Sequence, residues 1–175
     1  KLSALVDPLN TVATANGRPS VDPEVTALCY DSRRVTPGAV FVAIEGFSID
    51  GHRFIPDAVA KGAVAVVCGR PVTTDAVVIQ VADPRAALAR LAIRFYGRPA
   101  ESLTLVGVTG TSGKTTVTYL LEQILKKAGH QPGVVGTINY RFGGHAFDNP
   151  VTTPESADLQ GILRRMADHG TTHAV

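Results

Sequence analysis

Leu105-Val-Gly-Val-Thr-Gly-Thr-Ser-Gly-Lys-Thr-Thr-Val117 passes from an apolar, β-branched run into a Gly/Ser/Thr turn and then into helix-patterned sequence. The run Leu103 to Thr109 predicts a strand. Val117, Leu120, Leu121, Ile124, Leu125 and Ala128 predict the buried stripe of a helix that Gly129 stops. Between them, Gly110 and Gly113 leave backbone N–H groups free to converge on an anion, the helix N-terminus adds the positive end of its dipole, and Lys114 supplies a mobile charge. Thr115 or Thr116 is placed to hold Mg²⁺. Val108 stands where the standard phosphate loop has glycine, so Gly110-Thr-Ser-Gly-Lys-Thr-Thr116 is a shorter variant. The plain alternative is a turn that only joins strand to helix. The Gly-Lys-Thr-Thr tetrad in its strand–helix context argues against it.

Downstream, Val134 to Ile138 predicts the next strand, Arg141-Phe-Gly-Gly144 a hairpin or loop, and Asp148-Asn-Pro150 a turn. Thr152-Thr-Pro-Glu155 predicts the opening of a last helix, with Thr153 as N-cap, Pro154 at the first position and Leu159, Ile162, Leu163 and Met166 on the buried face. Gly170 closes it. Thr172 to Val175 predicts the start of a further strand, and a phosphate-loop domain needs several more strands. The expectation is one small domain plus the opening part of a nucleotide-binding domain.

Upstream, Gly97-Arg-Pro-Ala-Glu-Ser102 is short, polar and turn-rich, and a boundary near Pro99 predicts domains over residues 1–99 and 100–175. In the first, Leu2, Leu5, Val6 and Leu9 predict a short helix. Val25 to Tyr30 and Ala39 to Ile44 predict strands around a polar loop, and Glu45-Gly-Phe-Ser-Ile-Asp-Gly-His52 predicts a second loop. Arg53 to Lys61 predicts a helix ended by Gly62. Val64 to Cys68 and Val77 to Val81 are apolar runs of the kind buried in parallel sheets, and a helix with Asp83 as N-cap runs from Pro84 towards Gly97. Strands alternating with helices imply an α/β architecture.

Composition narrows the function classes. Apolar residues at 45% and charged residues at 18% describe a globular chain, and a net charge of +2 with scattered basic residues gives no footprint for nucleic acid. Cys29 and Cys68 lack metal or redox spacing and read as buried reduced thiols. No run reaches the ~20 apolar residues of a membrane span and no signal-peptide pattern opens the chain, so no membrane association and a cytoplasmic protein are expected.

Val106-Gly-Val-Thr-Gly-Thr-Ser-Gly-Lys-Thr-Thr116 resembles the ATP loop of the Mur ligases, the ATP-dependent amide ligases of peptidoglycan synthesis, whose usual form has Asn where Ser112 stands. Tyr30-Asp-Ser-Arg-Arg-Val-Thr-Pro-Gly-Ala-Val-Phe-Val-Ala-Ile-Glu-Gly46, with Asp50-Gly-His-Arg-Phe-Ile55, resembles the UDP-binding domain of the family's tripeptide and pentapeptide synthetases. Gly133-Val-Val-Gly-Thr-Ile138 and Thr152-Thr-Pro-Glu-Ser156 are similar to the members that add the third residue. The resemblance implies a small Rossmann-like UDP-binding domain followed by the start of a P-loop mononucleotide-binding α/β domain. It implies ATP and Mg²⁺ as cofactors, and UDP-N-acetylmuramoyl-dipeptide with lysine or diaminopimelate as substrates of a monomeric enzyme. Tyr30, Ser32, Phe47, Ser48 and Ile49 match the segments that hold the uridine nucleotide, and Thr152 and Thr153 match a pair on the muramoyl-peptide substrate. Gly110, Thr111, Ser112, Gly113, Lys114, Thr115 and Thr116 form the implied ATP loop, with Lys114 catalytic and Thr115 on the metal.

Asp31 and Arg33 are open between a loop ion pair and ligand contact, and His52 reads as a surface or capping histidine. The family's remaining metal-site residues match no position up to Val175, so this stretch alone is expected not to ligate. The competing readings are a pentapeptide-adding ligase and a non-catalytic nucleotide-binding module.

Overall fold

The structure is a computed structural model, and it describes residues 1–6, 11–15 (backbone only), 22–46, 49–148 and 153–175. The chain divides into two compact units, Lys1–Phe95 and Tyr96–Val175.

The first unit carries helix α1 (Leu2–Val6) and strands β1 (Thr11–Ala15), β2 (Ala27–Cys29) and β3 (Ala39–Val42). Helix α2 (Ile55–Ala60), strands β4 (Ala65–Cys68) and β5 (Val77–Val81) and helix α3 (Pro84–Phe95) complete it. The sheet order is β1-β5-β4-β3-β2, parallel from β2 to β5 with β1 antiparallel at the edge. Every residue of β3 and β4 is buried, as expected of parallel strands covered on both faces. Phe41 and Val66 pack with Ile55 and Ala58 of α2 on one face. The alternate residues Val40, Val42 and Val67 point to the other face, where α3 packs with Leu88 and Leu91 fully buried. Asp83 caps α3 as its sequence predicts, accepting from the Arg85 and Ala86 N–H groups at 2.9 and 3.0 Å. Strand β1 has no counterpart in the sequence reading: Thr-Val-Ala-Thr-Ala has little apolar alternation, and its pairing with β5 is a long-range choice.

The second unit comprises strand β6 (Thr104–Leu105), helix α4 (Lys114–Lys127), strands β7 (Pro132–Val135), β8 (Asn139–Phe142) and β9 (His145–Asp148), helix α5 (Ser156–Asp168) and strand β10 (His173–Ala174). Its order is β6-β10-β7-β8-β9: β10 runs parallel to β6 and β7, and β7-β8-β9 form an antiparallel meander. Gly143 and Gly144, both at positive φ, make the tight turn between β8 and β9. Leu103, Phe142, Ile162, Leu163, Met166 and Ala174 form the core.

Four expectations are corrected here. Strand β6 spans Thr104–Leu105 rather than reaching Thr109, with one further bond to β10 from the Val106 N–H to the Ala174 carbonyl at 2.8 Å. Strand β7 ends at Val135, where Gly136 turns the chain by donating its N–H to the Asn139 carbonyl at 3.1 Å. Helix α5 starts at Ser156 with Glu155 as N-cap, not Thr153, since the Glu155 carbonyl accepts the first helical bond, from Leu159 N–H at 2.9 Å. The fourth is α4. Of its predicted stripe, Val117, Leu120 and Ile124 are exposed at 41%, 58% and 62% and Leu121 and Leu125 are half-buried, whereas Thr118 and Glu122 are buried. The inward face is mixed, Thr118, Leu121, Glu122 and Leu125 at helical spacing, and Glu122 enters it with its charge satisfied: Arg141 of β8 donates to it from Nε and Nη2 at 2.9 and 2.5 Å, and Lys126 at 2.8 Å.

Candidate functional site

In the second unit the loop between β6 and α4 has the backbone its glycines predict. Gly110 and Gly113 sit at φ 149° and 77°, which favours glycine. Gly113 is the N-cap of the 14-residue α4 and makes no side-chain cap bond, so its position leaves the first helical N–H groups for an external acceptor. Lys114 folds back, its Nζ donating to the Gly110 carbonyl. Thr111, Ser112, Thr115 and Thr116 are exposed. The Thr115 carbonyl accepts from Thr118 Oγ1 at 2.8 Å, which fixes the first turn of the helix.

β6, β7 and β10 run parallel, and a cavity of about 350 Å³ opens beyond their carboxyl ends. Lys114, Thr115, Gly136, Thr137, Thr153 and Val175 line it, over apolar walls that include Leu105 and Leu163. Thr153 is thus brought to the phosphate loop although it precedes a helix far along the chain. Because Glu155 supplies the helix's N-cap position, the Thr153 hydroxyl is not spent on capping. Thr152 lies outside the described residues. Gly136 and Thr137 are additions to the sequence-predicted set; their signal was a Gly-Thr pair directly after an apolar strand.

These residues fit a nucleoside triphosphate and its Mg²⁺: amides from an uncapped helix end, one ammonium, and hydroxyls at Thr115 and Thr116 of the kind that ligate a hard cation.

In the first unit the predicted nucleotide residues follow the carboxyl ends of the neighbouring parallel strands β2 and β3. Tyr30 is half-buried and Ser32 buried. Ser32 opens a short 3-10 turn capped by Asp31. Its carbonyl accepts from Lys61 Nζ at 3.0 Å, and Lys61 also pairs with Asp57 at 3.0 Å. The Lys61 ammonium and then the Ser32 hydroxyl hold the Asp57 carboxyl below its usual range. Asp31 and Arg33 form a loop ion pair, Nη2 to Oδ2 at 2.7 Å, with the guanidinium exposed.

The loop after β3 closes on itself. Glu45 and Asp50 bridge its base, the Gly46 N–H donates to the Ile49 carbonyl at 2.9 Å, and the Gly51 N–H donates to the Ile44 carbonyl at 2.9 Å. Ile49 is exposed at 58%. Phe47 and Ser48, the other predicted residues here, lie outside the described residues.

His52 is corrected: it is neither a surface residue nor the cap. Its side chain is 3% exposed, and Asp50 is the residue that caps the turn, accepting from the His52 N–H at 2.9 Å. That backbone bond, then Arg70, then the His52 ring hold the Asp50 carboxyl far below the carboxylate range. Glu45, Asp50 and His52 put three potential metal ligands within 4.8 Å. Arg70 reaches both carboxylates and both ring nitrogens of His52 are engaged, so the cluster carries its own cation.

Residues 24–96 match the Mur ligase family, catalytic domain, and residues 108–175 match the Mur ligase middle domain. The chain is 47% identical over 149 residues to the UDP-N-acetylmuramoyl-L-alanyl-D-glutamate–2,6-diaminopimelate ligase of Geobacillus kaustophilus, covering 85% of this chain and 30% of that protein. It is 43% identical over 177 residues to the ligase of the same name from Alkaliphilus metalliredigens, covering 100% and 35%. A solved UDP-N-acetylmuramoyl-L-alanyl-D-glutamate–2,6-diaminopimelate ligase superposes with a TM-score of 0.74 at 26% identity, over 86% of this chain and 31% of that one. The MurF ligase of Thermotoga maritima in complex with ADP gives 0.58 at 29%, over 85% and 31%. The chain spans about a third of the length of the curated relatives it matches. Two matches in chain order, one on each unit, and relatives alike across the whole sequence lead to one conclusion: this chain belongs to the Mur ligase family.

Proposed function

We propose that the parent protein is an ATP-dependent amide ligase that adds diaminopimelate to UDP-N-acetylmuramoyl-L-alanyl-D-glutamate, with the first unit holding the UDP end and the second the ATP. The observation that carries this reading is the cavity where Lys114, Thr115 and Thr153 converge at the carboxyl ends of three parallel strands. A phosphoryl-transfer site and a polar substrate contact share one space there. The names of relatives at 40–47% identity favour diaminopimelate over lysine.

In the reaction proposed, a carboxylate oxygen of the substrate attacks the γ-phosphorus of ATP, giving an acyl phosphate and ADP. The donor's amine then attacks the acyl carbon, loses a proton and releases phosphate. A carboxylate approaching a triphosphate meets strong repulsion, so the site's work is to neutralise charge and hold the groups in line. The N–H groups at the start of α4 and the Lys114 ammonium supply fixed positive charge, and Thr153 is a hydroxyl positioned to orient the acceptor. Mg²⁺, held by Thr115, would add Lewis-acid neutralisation of the phosphates.

The test is phosphate release by the full-length protein with ATP, Mg²⁺, the UDP-muramoyl dipeptide and a panel of amino acids. Release that requires both the dipeptide and diaminopimelate is expected. Release independent of either substrate would refute the ligase reading, and a preference for lysine would refute the donor.

A further inference from the structure

We infer that His52 is a positioning residue for the nucleotide loop, tying the base of the 45–50 loop to the end of the neighbouring strand β4. The inference rests on the reading of the first unit as the UDP-binding one.

The protonation of the ring follows from its partners. The Gly69 N–H donates to Nε2 at 3.1 Å, and a backbone amide can only donate, so Nε2 holds a lone pair. The Nδ1 atom, 2.7 Å from Asp50 Oδ1, therefore carries the hydrogen and donates it. A neutral imidazole in one tautomer thus spans from the loop base to the residue that follows β4. Arg70, the next residue along, reaches back from the same strand end to Asp50 and, at 3.2 Å, to Glu45. The Asp50 foot is held from inside by the buried ring, and the guanidinium holds both Asp50 and Glu45 from outside.

The backbone agrees with this reading. A Cβ on Gly51 would stand 2.6 Å from the Ile44 carbonyl oxygen and 2.8 Å from its nitrogen, so Gly51 lets the chain cross the loop's base at a distance no other residue permits. Such fixing is unnecessary for a loop that only connects β3 to α2; it suits one that must present a residue such as Ile49, exposed at 58%, to a ligand from a fixed base. His52 touches the loop at its base, through Asp50. Its effect on a ligand would pass through Asp50 and the loop.

The test uses the full-length enzyme with His52→Asn, which keeps a donor towards Asp50 but cannot reach Gly69, His52→Gln, which can still offer an acceptor near the Nε2 position, and Arg70→Met on the surface. The measured quantities are KM for the UDP-muramoyl dipeptide, KM for ATP, kcat and Tm. Expected are a rise of about ten-fold in the dipeptide KM for His52→Asn, partial recovery in His52→Gln, and a smaller rise for Arg70→Met, with ATP KM and kcat within about two-fold of wild type. A dipeptide KM unchanged in His52→Asn and Arg70→Met, or rising only in step with the ATP KM, would overturn the inference. A wild-type enzyme that does not saturate with the dipeptide would instead remove the UDP reading of the first unit.

Discussion

Replacing Arg141 by methionine takes the main partner from a buried carboxylate. Glu122 is 5% exposed and lies two turns along α4 from Lys114. Arg141 binds it through two nitrogens, bonds Asn139 Oδ1 at 2.9 Å, and lies over the Tyr119 ring at 4.1 Å. Removing one partner of a buried pair costs about 3–5 kcal/mol when the remaining charge is left uncompensated. Lys126 stays within 2.8 Å and methionine keeps part of the stem on Tyr119, so a loss of about 2–3 kcal/mol is expected. Adding Glu122→Leu removes the stranded charge and should restore most of that loss.

The pH dependence gives an independent sign. Burial works to raise the Glu122 carboxyl, but the bonds from Arg141 and Lys126 outweigh it, and the group titrates below its usual range. A carboxyl depressed in the folded state contributes stability above its unfolded pKa, and that contribution fades as pH falls through the folded one. Without Arg141, burial has less opposing it and protonation is less costly to the fold. The gap between variant and wild type should therefore narrow from neutral pH to about pH 4. Urea unfolding followed by tyrosine fluorescence suits the measurement, because Tyr96, Tyr119 and Tyr140 all lie in the second unit. A loss below about 1 kcal/mol, or a gap that stays constant with pH, would refute Glu122 as a buried, paired anion.

Other perturbations probe the sites directly. Lys114→Ala in the full-length enzyme should lower kcat by about 10²–10³-fold with a smaller change in ATP KM, and steady-state kinetics showing less than a ten-fold fall would exclude its role in the transition state. Gly51→Ala must push Cβ against the Ile44 backbone on a side where nothing flexible can yield, so thermal unfolding of the first unit should shift down by an amount equivalent to about 2 kcal/mol or more. Burial raises the thiols of Cys29 and Cys68, and neither is in a disulfide. A colourimetric thiol reagent should therefore react with them far more slowly in buffer than in urea, and equal rates would contradict their burial.

What could be read from residues alone was whatever the local backbone dictates. Gly110 and Gly113 announce a loop that needs positive φ, Asp83 with Pro84 announces the start of α3, and the apolar runs of β4 and β5 announce strands covered on both faces. What could not be read depends on partners distant in the chain. Periodicity marks the apolar side of α4 but does not place Glu122 on the buried one, where its charge is satisfied by Arg141, nineteen positions along the chain. Seventeen positions separate His52 from Gly69, so a histidine that looks like a surface residue becomes a buried bridge. In Thr153-Pro-Glu155 the threonine is the better capping side chain, yet the first helical bond goes to the Glu155 carbonyl, which local preference does not foretell.

The bond from Lys114 to the Gly110 carbonyl has a kinetic consequence. A lysine held on its own loop has already given up much of its rotamer freedom, so in the ATP-loop reading proposed above an arriving phosphate would meet a cation already in place. The same carbonyl would compete when the anion leaves, recapturing the ammonium instead of letting it rebind. Readiness for the next nucleotide and release of the last would then be served by one internal ligand.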